Sequence, residues 1–232
     1  MHTPSRQVSS SQRGPHPGLA RRVRRQAQAE WRKPPQDVDL AAMARIDAAL
    51  AAHEGPVILD SFCGTGLSTA MLARRHPGSL VLGVDRSAHR LNKAESTPDN
   101  ALLLRAHCEA VWRHLVERRQ TLAQHYLLYP NPWPKAAQLR HRVHGHPAFA
   151  LIPKLGGELE LRSNWQVYVE EFGIALHLLG IPSRIAVVAA GAEPSTRFEH
   201  KYAASGHMLW QLRARLRDDY AEGSARKNDA CA

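Results

Sequence analysis

The interval from Val57 to Asp85 constrains the fold more than any other stretch of the chain. Val57-Ile58-Leu59 is a short apolar run, Asp60-Ser61-Phe62-Cys63-Gly64-Thr65-Gly66 follows it, and Leu67, Ala70, Met71 and Leu72 then recur at helical spacing. His76-Pro77-Gly78 breaks that helix, and Leu80-Val81-Leu82-Gly83-Val84 is a second apolar run that closes on Asp85. Two strands joined through a helix pair in parallel, because a parallel neighbour needs a crossover connection. A chain that starts its sheet this way is committed to an α/β architecture.

The alternation continues downstream. A helix follows Ser87, a strand runs from Ala101 to Arg105, a helix follows Glu109, and the apolar run Tyr126-Leu127-Leu128 is the next strand. After a basic, His-rich loop from Lys135 to His146 come a helical turn around Phe149 to Ile152, a strand Glu158 to Arg162, a helix Trp165 to Leu179 and a strand Arg184 to Ala189. A last strand near Met208 to Leu216 alternates in character and suits an antiparallel edge. Seven strands interleaved with helices predict a mostly parallel sheet covered on both faces. Ahead of it, Leu40, Met43, Ile46 and Leu50 mark a packing helix that Glu54-Gly55-Pro56 ends.

Two turns carry the chemistry. Gly64 and Gly66 let the backbone after the first strand approach a ligand closely, and Asp85, ending the second strand, is placed to accept from ribose hydroxyls. Together they predict an adenosine-containing cofactor. The dinucleotide fingerprint places a third glycine where this chain has Thr69, whereas Asp60 opening the turn suits S-adenosylmethionine. The other turn is Tyr129-Pro130-Asn131-Pro132-Trp133-Pro134-Lys135. Three prolines forbid further pairing, so the chain leaves the sheet in a stiff turn at a strand's carboxyl end, where open α/β sheets bind ligands.

Composition narrows the partner and the compartment. A formal charge of +10 in 232 residues attracts polyanions, nucleic acid first. Residues 1–36 contain Arg21-Arg22-Val23-Arg24-Arg25 and no acid before Glu30, a composition predicted to stay unfolded as a basic arm for RNA phosphates; the same Arg-rich start also suits a transit peptide. Residues 37–216 are then the folded domain, and the polar tail 217–232 is predicted to be disordered. Three widely spaced cysteines, no apolar signal core and no membrane-length run predict a cytoplasmic protein without a structural metal or membrane contact. His141, His144 and His146 lack the spacing of a metal motif. Monomer and homodimer remain open.

Leu59 to Gly66 resembles motif I of the class I methyltransferases, with Phe62 standing where a first glycine is usual. A second resemblance is more specific. Pro130-Asn131-Pro132-Trp133-Pro134-Lys135, the basic residues Arg140 and Arg142, Leu155-Gly156-Gly157, Ser163-Asn164-Trp165 with Tyr168, and Thr196-Arg197-Phe198-Glu199 are similar in order and spacing to the tRNA (guanine-N7)-methyltransferases. That family carries P-D-P-W-x-K, K-L-x-x-G-G, T-D-W-x-x-Y and T-K/R-F-E, so both aspartates of its pocket are amides here.

The resemblance implies a Rossmann-like class I fold, S-adenosylmethionine as cofactor, and methyl transfer to N7 of a variable-loop guanine in tRNA. Asp60, Gly64, Gly66, Asp85 and Glu109 would hold the cofactor. Asn131 would be the catalytic contact, and Lys135, Arg140, Arg142, Ser163, Asn164, Thr196 and Glu199 would bind substrate, with Trp133 and Trp165 as stacking surfaces for an extruded base. Two alternatives stay open: an amino methyltransferase, since Asn131-Pro132-Trp133 also resembles the N-P-P-Y/W turn, and a tRNA-binding relative that lost turnover.

Overall fold

The computed structural model describes residues 5–189 and 196–216. The expected disordered tail 217–232 lies outside the described residues. Among these the elements run α1 (Leu19–Ala27), α2 (Asp37–Ala51), β1 (Val57–Ser61), α3 (Leu67–Arg75), β2 (Leu80–Asp85), α4 (Ala88–Leu91), β3 (Ala101–Arg105), α5 (Cys108–Glu117), β4 (Gln124–Leu128), β5 (Gly157–Ser163), α6 (Gln166–Leu178), β6 (Arg184–Val187), α7 (Arg197–Ala204) and β7 (Trp210–Leu216). Short 3-10 segments, Ala136–His141, Val143–Gly145 and Pro147–Leu155, fill the interval between β4 and β5.

The seven strands form one sheet in the order β3-β2-β1-β4-β5-β7-β6. The pairs β1·β2, β1·β4, β2·β3 and β4·β5 are parallel. β7 is antiparallel to both β5 and β6, so it lies one place in from the edge and β6 forms the border. The alternation of β7 fits this place: Leu212, Ala214 and Leu216 are buried while Arg213 and Arg215 face outward. β1 and β2 are buried along their whole length, as strands covered on both faces must be.

The chain reverses its order at β1, where β2 lies to one side and β4 to the other. That split opens the crevice in which α/β sheets take their ligands.

Two expectations are corrected. Leu40 is 51% exposed, whereas Met43 and Ile46 pack inward as expected, joined by Asp39 and Ala42. More important, the N-terminal arm contains a helix, α1, that packs on the domain. Leu19 and Val23, one helical turn apart, are buried against the domain, and Arg22 Nε and Gln26 Nε2 both donate to the Gly145 carbonyl at 2.6 and 2.7 Å. Average composition hides a single apolar stripe of this kind, because the arginines between its members dominate the count.

Candidate active site

A cavity of about 660 Å³ lies at the carboxyl ends of the strands, bounded by the turn after β1, the start of α5, the loop after β4 and the first turn of α7. Its size falls within the range of about 300–1,000 Å³ typical of small-molecule sites. Trp31, Lys33 and Pro34, from the segment between α1 and α2, close a further side.

The turn after β1 forms the floor. Phe62, Gly64 and Gly66 have φ of 64°, 62° and 77°. Glycine adopts this region freely, but Phe62 does so at a cost of about 1–2 kcal/mol. Its ring stands edge-on to Trp112 with centroids 6.0 Å apart, and its N–H donates to Cys108 Sγ at 3.3 Å. A Cβ added at Gly64 would meet nothing within 4 Å, whereas one at Gly66 would strike Leu103 Cδ1 at 2.7 Å. Gly64 therefore leaves open a space that a ligand can fill, while Gly66 serves the packing of helix on strand.

Behind the turn lies Asp60, fully buried. Its Oδ2 accepts from Ser68 Oγ at 2.6 Å and Thr69 Oγ1 at 2.7 Å, and its Oδ1 has no hydrogen-bond partner among the described residues. Burial raises its pKa to about 6, against the pull of those two hydroxyls. On the far side, Asp39 accepts from the His107 backbone N–H at 2.8 Å, which fixes the approach to Cys108 and Glu109 on the cavity wall. Burial pushes the thiols of Cys63 and Cys108 well up, so both line the site as neutral groups.

The opposite wall is the proline-rich turn. Tyr129 and Trp133 have φ of 55° and 47°, two further non-glycine residues in the left-handed region. Strain of this sort persists only where surroundings impose it. Asn131 is exposed at the cavity, and its Oδ1 accepts from the Trp133 N–H at 3.4 Å. The Trp133 ring lies 5.0 Å from His141, tilted by 36°. Across the opening, Phe198 of α7 is 47% exposed and backed by the ring of Tyr202.

A family model described as putative methyltransferase matches residues 54–212, from β1 into the start of β7, and takes in the glycine turn and the proline-rich turn of this cavity. The chain belongs to that family. The tRNA (guanine-N(7)-)-methyltransferase of Pectobacterium atrosepticum is 25% identical over 182 residues, 71% of this chain and 74% of its own. That of Yersinia pseudotuberculosis is 27% identical over 177 residues, 70% of this chain and 73% of its own. Among solved structures, a variant of the 16S rRNA (adenine(1408)-N(1))-methyltransferase from Catenulisporales acidiphilia, with cosubstrate SAM, superposes at a TM-score of 0.56 and 18% identity, over 77% of this chain and 92% of its own. The antibiotic-resistance methyltransferase Kmr gives 0.52 and 19%, over 82% and 96%. These likenesses bear on the fold, which is that of the class I methyltransferases. The cofactor is S-adenosylmethionine. The open space over Gly64 on the cavity floor fits the close approach of such a ligand, with the Asp60 carboxyl buried behind the turn.

Not every expected residue of this methyltransferase reaches the cavity. Gly64, Glu109, Asn131 and Thr196 line it. Asp85 does not: its Oδ2 accepts from Gly64 N at 3.0 Å, and its Oδ1 takes Ser87 N at 2.8 Å and the Arg90 guanidinium at 2.9 Å. The chain itself thus occupies this carboxylate, and Arg86 and Arg90 face the cavity in its place.

Arg142, expected at phosphates, is 0% exposed, paired with Glu171 and stacked 4.8 Å from the Trp165 ring. The same contact makes Trp165 core rather than a platform for a base. Ser163 is buried and accepts from Trp165 N at 3.2 Å, and Asn164 Nδ2 faces His207 Nδ1 at 3.3 Å. Glu199 is buried against Arg162 at 2.6 Å. Each of these polar side chains is held by the chain's own partners, which its letter in the sequence does not disclose. Lys135 and Arg140 remain exposed beside the opening. Trp31, Lys33, Arg90, Arg197 and Phe198 are wall residues that sequence reasoning did not single out as contacts, and only the Thr196-Arg197-Phe198-Glu199 run carried a signal for any of them.

Proposed function

We propose that this methyltransferase transfers a methyl group to N7 of a guanine in tRNA, the variable-loop guanine that its sequence resemblance implies, and that it works on cytoplasmic tRNA. The observation that carries the reading is the meeting, in one cavity, of the glycine turn after β1 with the strained Asn131 loop and a basic rim. The names of its relatives in Pectobacterium and Yersinia support the same acceptor.

S-adenosylmethionine, when bound, supplies a methyl group made electrophilic by its sulfonium. Gly64 would let the cofactor approach the backbone closely, Glu109 would meet its adenine end, and Asp60, buried behind the turn, would supply negative charge from beneath. Guanine N7 bears a lone pair and no proton, so the acceptor needs no general base. The work left to the chain is alignment and exclusion of water. Trp133 and Phe198 offer rings to either face of an extruded base, Asn131 and Thr196 offer polar contacts at its edge, and Lys135, exposed farther along the same turn, offers a charge to the RNA. Asn131 can accept from a guanine N–H or donate to O6, although it lacks the charge of the aspartate usual there.

The rim suits RNA backbone. Burial and the neighbouring charges of Arg25 and Arg140 pull the Arg22 guanidinium down from its ordinary range, so these three cations crowd together where α1 meets the loop after β4. Crowded like charges favour a polyanion that relieves them.

Transfer of labelled methyl from S-adenosylmethionine to unmodified tRNA, followed by nucleoside analysis, tests the reading. 7-Methylguanosine is the expected product. A methylated adenine or exocyclic amine would replace it with the amino-methyltransferase reading, and RNA binding without transfer would leave a non-catalytic relative.

A further inference from the structure

The turn between Tyr129 and Lys135 has an unusual holding problem. Pro130, Pro132 and Pro134 contribute no N–H, so the turn can be fixed mainly through its carbonyl oxygens, by donors that come from elsewhere. It also contains Trp133 in a strained conformation, at φ 47°. Its last tie to the sheet is Tyr129 N–H donating to the Arg162 carbonyl at 2.9 Å.

Beyond that point, besides the local Gln138 N–H that meets the Lys135 carbonyl at 2.9 Å, two side chains donate to the turn's carbonyls. Arg142 donates from Nε to the Trp133 carbonyl at 3.1 Å and from Nη2 to the Lys135 carbonyl at 3.4 Å. Ser10, from the N-terminal segment, donates from Oγ to the Pro134 carbonyl at 2.6 Å. Three consecutive carbonyls are held from outside.

Arg142 is itself held. Its Nη1 pairs with Glu171 Oε2 on α6, and its Nη2 donates to Gln12 Oε1 at 2.9 Å. Gln12 then returns its Nε2 to Glu171 Oε1 at 2.7 Å, beside the His16 N–H at 2.8 Å. His144 Nε2 donates to Glu171 Oε2 at 2.8 Å. Burial alone would raise the Glu171 carboxyl, but His144, Arg142 and the His16 N–H together hold it down at about 2. The node is therefore a fixed negative charge that aims a fixed positive one, with Gln12 bridging the two.

We propose that Ser10 and Gln12 are positioning residues for the acceptor-binding turn: the segment from Ser10 to His16 is a strap that, directly and through Arg142, sets Asn131 and Trp133 against the cofactor cavity. The proposal rests on the methyl-transfer reading for its kinetic arm only. It gives the N-terminal segment a part in the reaction separate from the RNA contacts proposed for α1, and it gives the buried Arg142–Glu171 pair a positioning role that apolar side chains could not fill.

Gln12→Leu removes both bridging bonds at similar side-chain volume, and Ser10→Ala removes the third tie. In the full chain, the double variant is expected to lower kcat by between about tenfold and a hundredfold, the range a small misplacement of reacting groups produces. The dissociation constants for S-adenosylmethionine and for tRNA should move by less than about threefold, a split that general destabilisation would not give. Hydrogen–deuterium exchange, which needs no substrate, should rise in a peptide covering 135–143 and stay unchanged in β1, β2 and β4. Unchanged kcat, or a loss that follows cofactor affinity, overturns the positioning role. Unchanged exchange in 135–143 overturns the strap whatever the acceptor proves to be.

Discussion

Gly83 lies in the middle of β2, facing α3, and the helix uses that space. A Cβ added there would come within 2.3 Å of Thr69 Oγ1, 2.8 Å of Thr69 Cγ2 and 2.7 Å of Leu103 Cδ2. Dinucleotide folds gain the same clearance with a glycine on the helix; this chain has moved it to the strand and filled the helix position with Thr69. Thr69 cannot step aside freely, because its hydroxyl is committed to Asp60 at 2.7 Å and the residue is fully buried.

Gly83→Ala should therefore push α3 from the sheet, at a cost of about 1–3 kcal/mol for overpacking. For a domain of this size that is a fall in Tm of about 2–12 °C. Thr69→Ala alone should destabilise by about 1–3 kcal/mol through the lost bond to a buried carboxylate. The double variant removes both clashing atoms of Thr69, so it should be more stable than the sum of the single effects by about 1–2 kcal/mol. Urea denaturation of the four proteins measures this coupling. Additive effects would refute the account of why β2 carries a glycine.

Three further outcomes follow from the site. Asn131→Asp should lower kcat/KM by about tenfold, equal to about 1.4 kcal/mol of barrier, whereas Asn164→Asp should leave it nearly unchanged because that side chain faces His207; equal effects would misassign one of them. Reversing Arg25 and Arg140 to Glu should weaken tRNA binding and make log affinity fall less steeply with log salt, by about 1 in slope for each phosphate no longer neutralised; filter binding from low to high salt reads this, and an unchanged slope would remove both arginines from the RNA surface. The Glu171 carboxylate, held at about 2, stabilises the fold fully above the ordinary carboxylate range and loses that contribution as the pH falls toward 2. Glu171→Gln should flatten the acid limb of stability, measured by urea midpoints between pH 5 and pH 3, and an unchanged limb would sink the assignment.

The strands were legible because a strand buried on both faces is written as an unbroken apolar run, as in Val57-Ile58-Leu59 and Leu80-Val81-Leu82. The position of β7 was not, since alternation in its sequence reports two unlike faces and says nothing of which neighbours flank it. At the site, the glycine turn and the proline turn could be placed because their backbones are dictated by residue type. The carboxylates could not. Asp85, Glu199 and Glu171 are satisfied by Arg90, Arg162 and Arg142, partners brought from elsewhere in the fold, and a letter in a sequence does not say whether an acid faces a ligand or its own chain.

The insertion of β7 between β5 and β6 bears on how the protein is made. While the chain emerges from the ribosome, β3, β2, β1, β4 and β5 can assemble in the order in which their crossovers are completed, but β6 has no place to dock until residues 210–216 have followed it out. Until then the outer edge of β5 stands open, and Ile185 and Val187, still 38% and 49% exposed in the finished fold, hang beside it. An open edge next to an apolar strand is a template for pairing with another nascent chain. The speed at which β7 becomes available should therefore govern yield more strongly than that of any earlier described element.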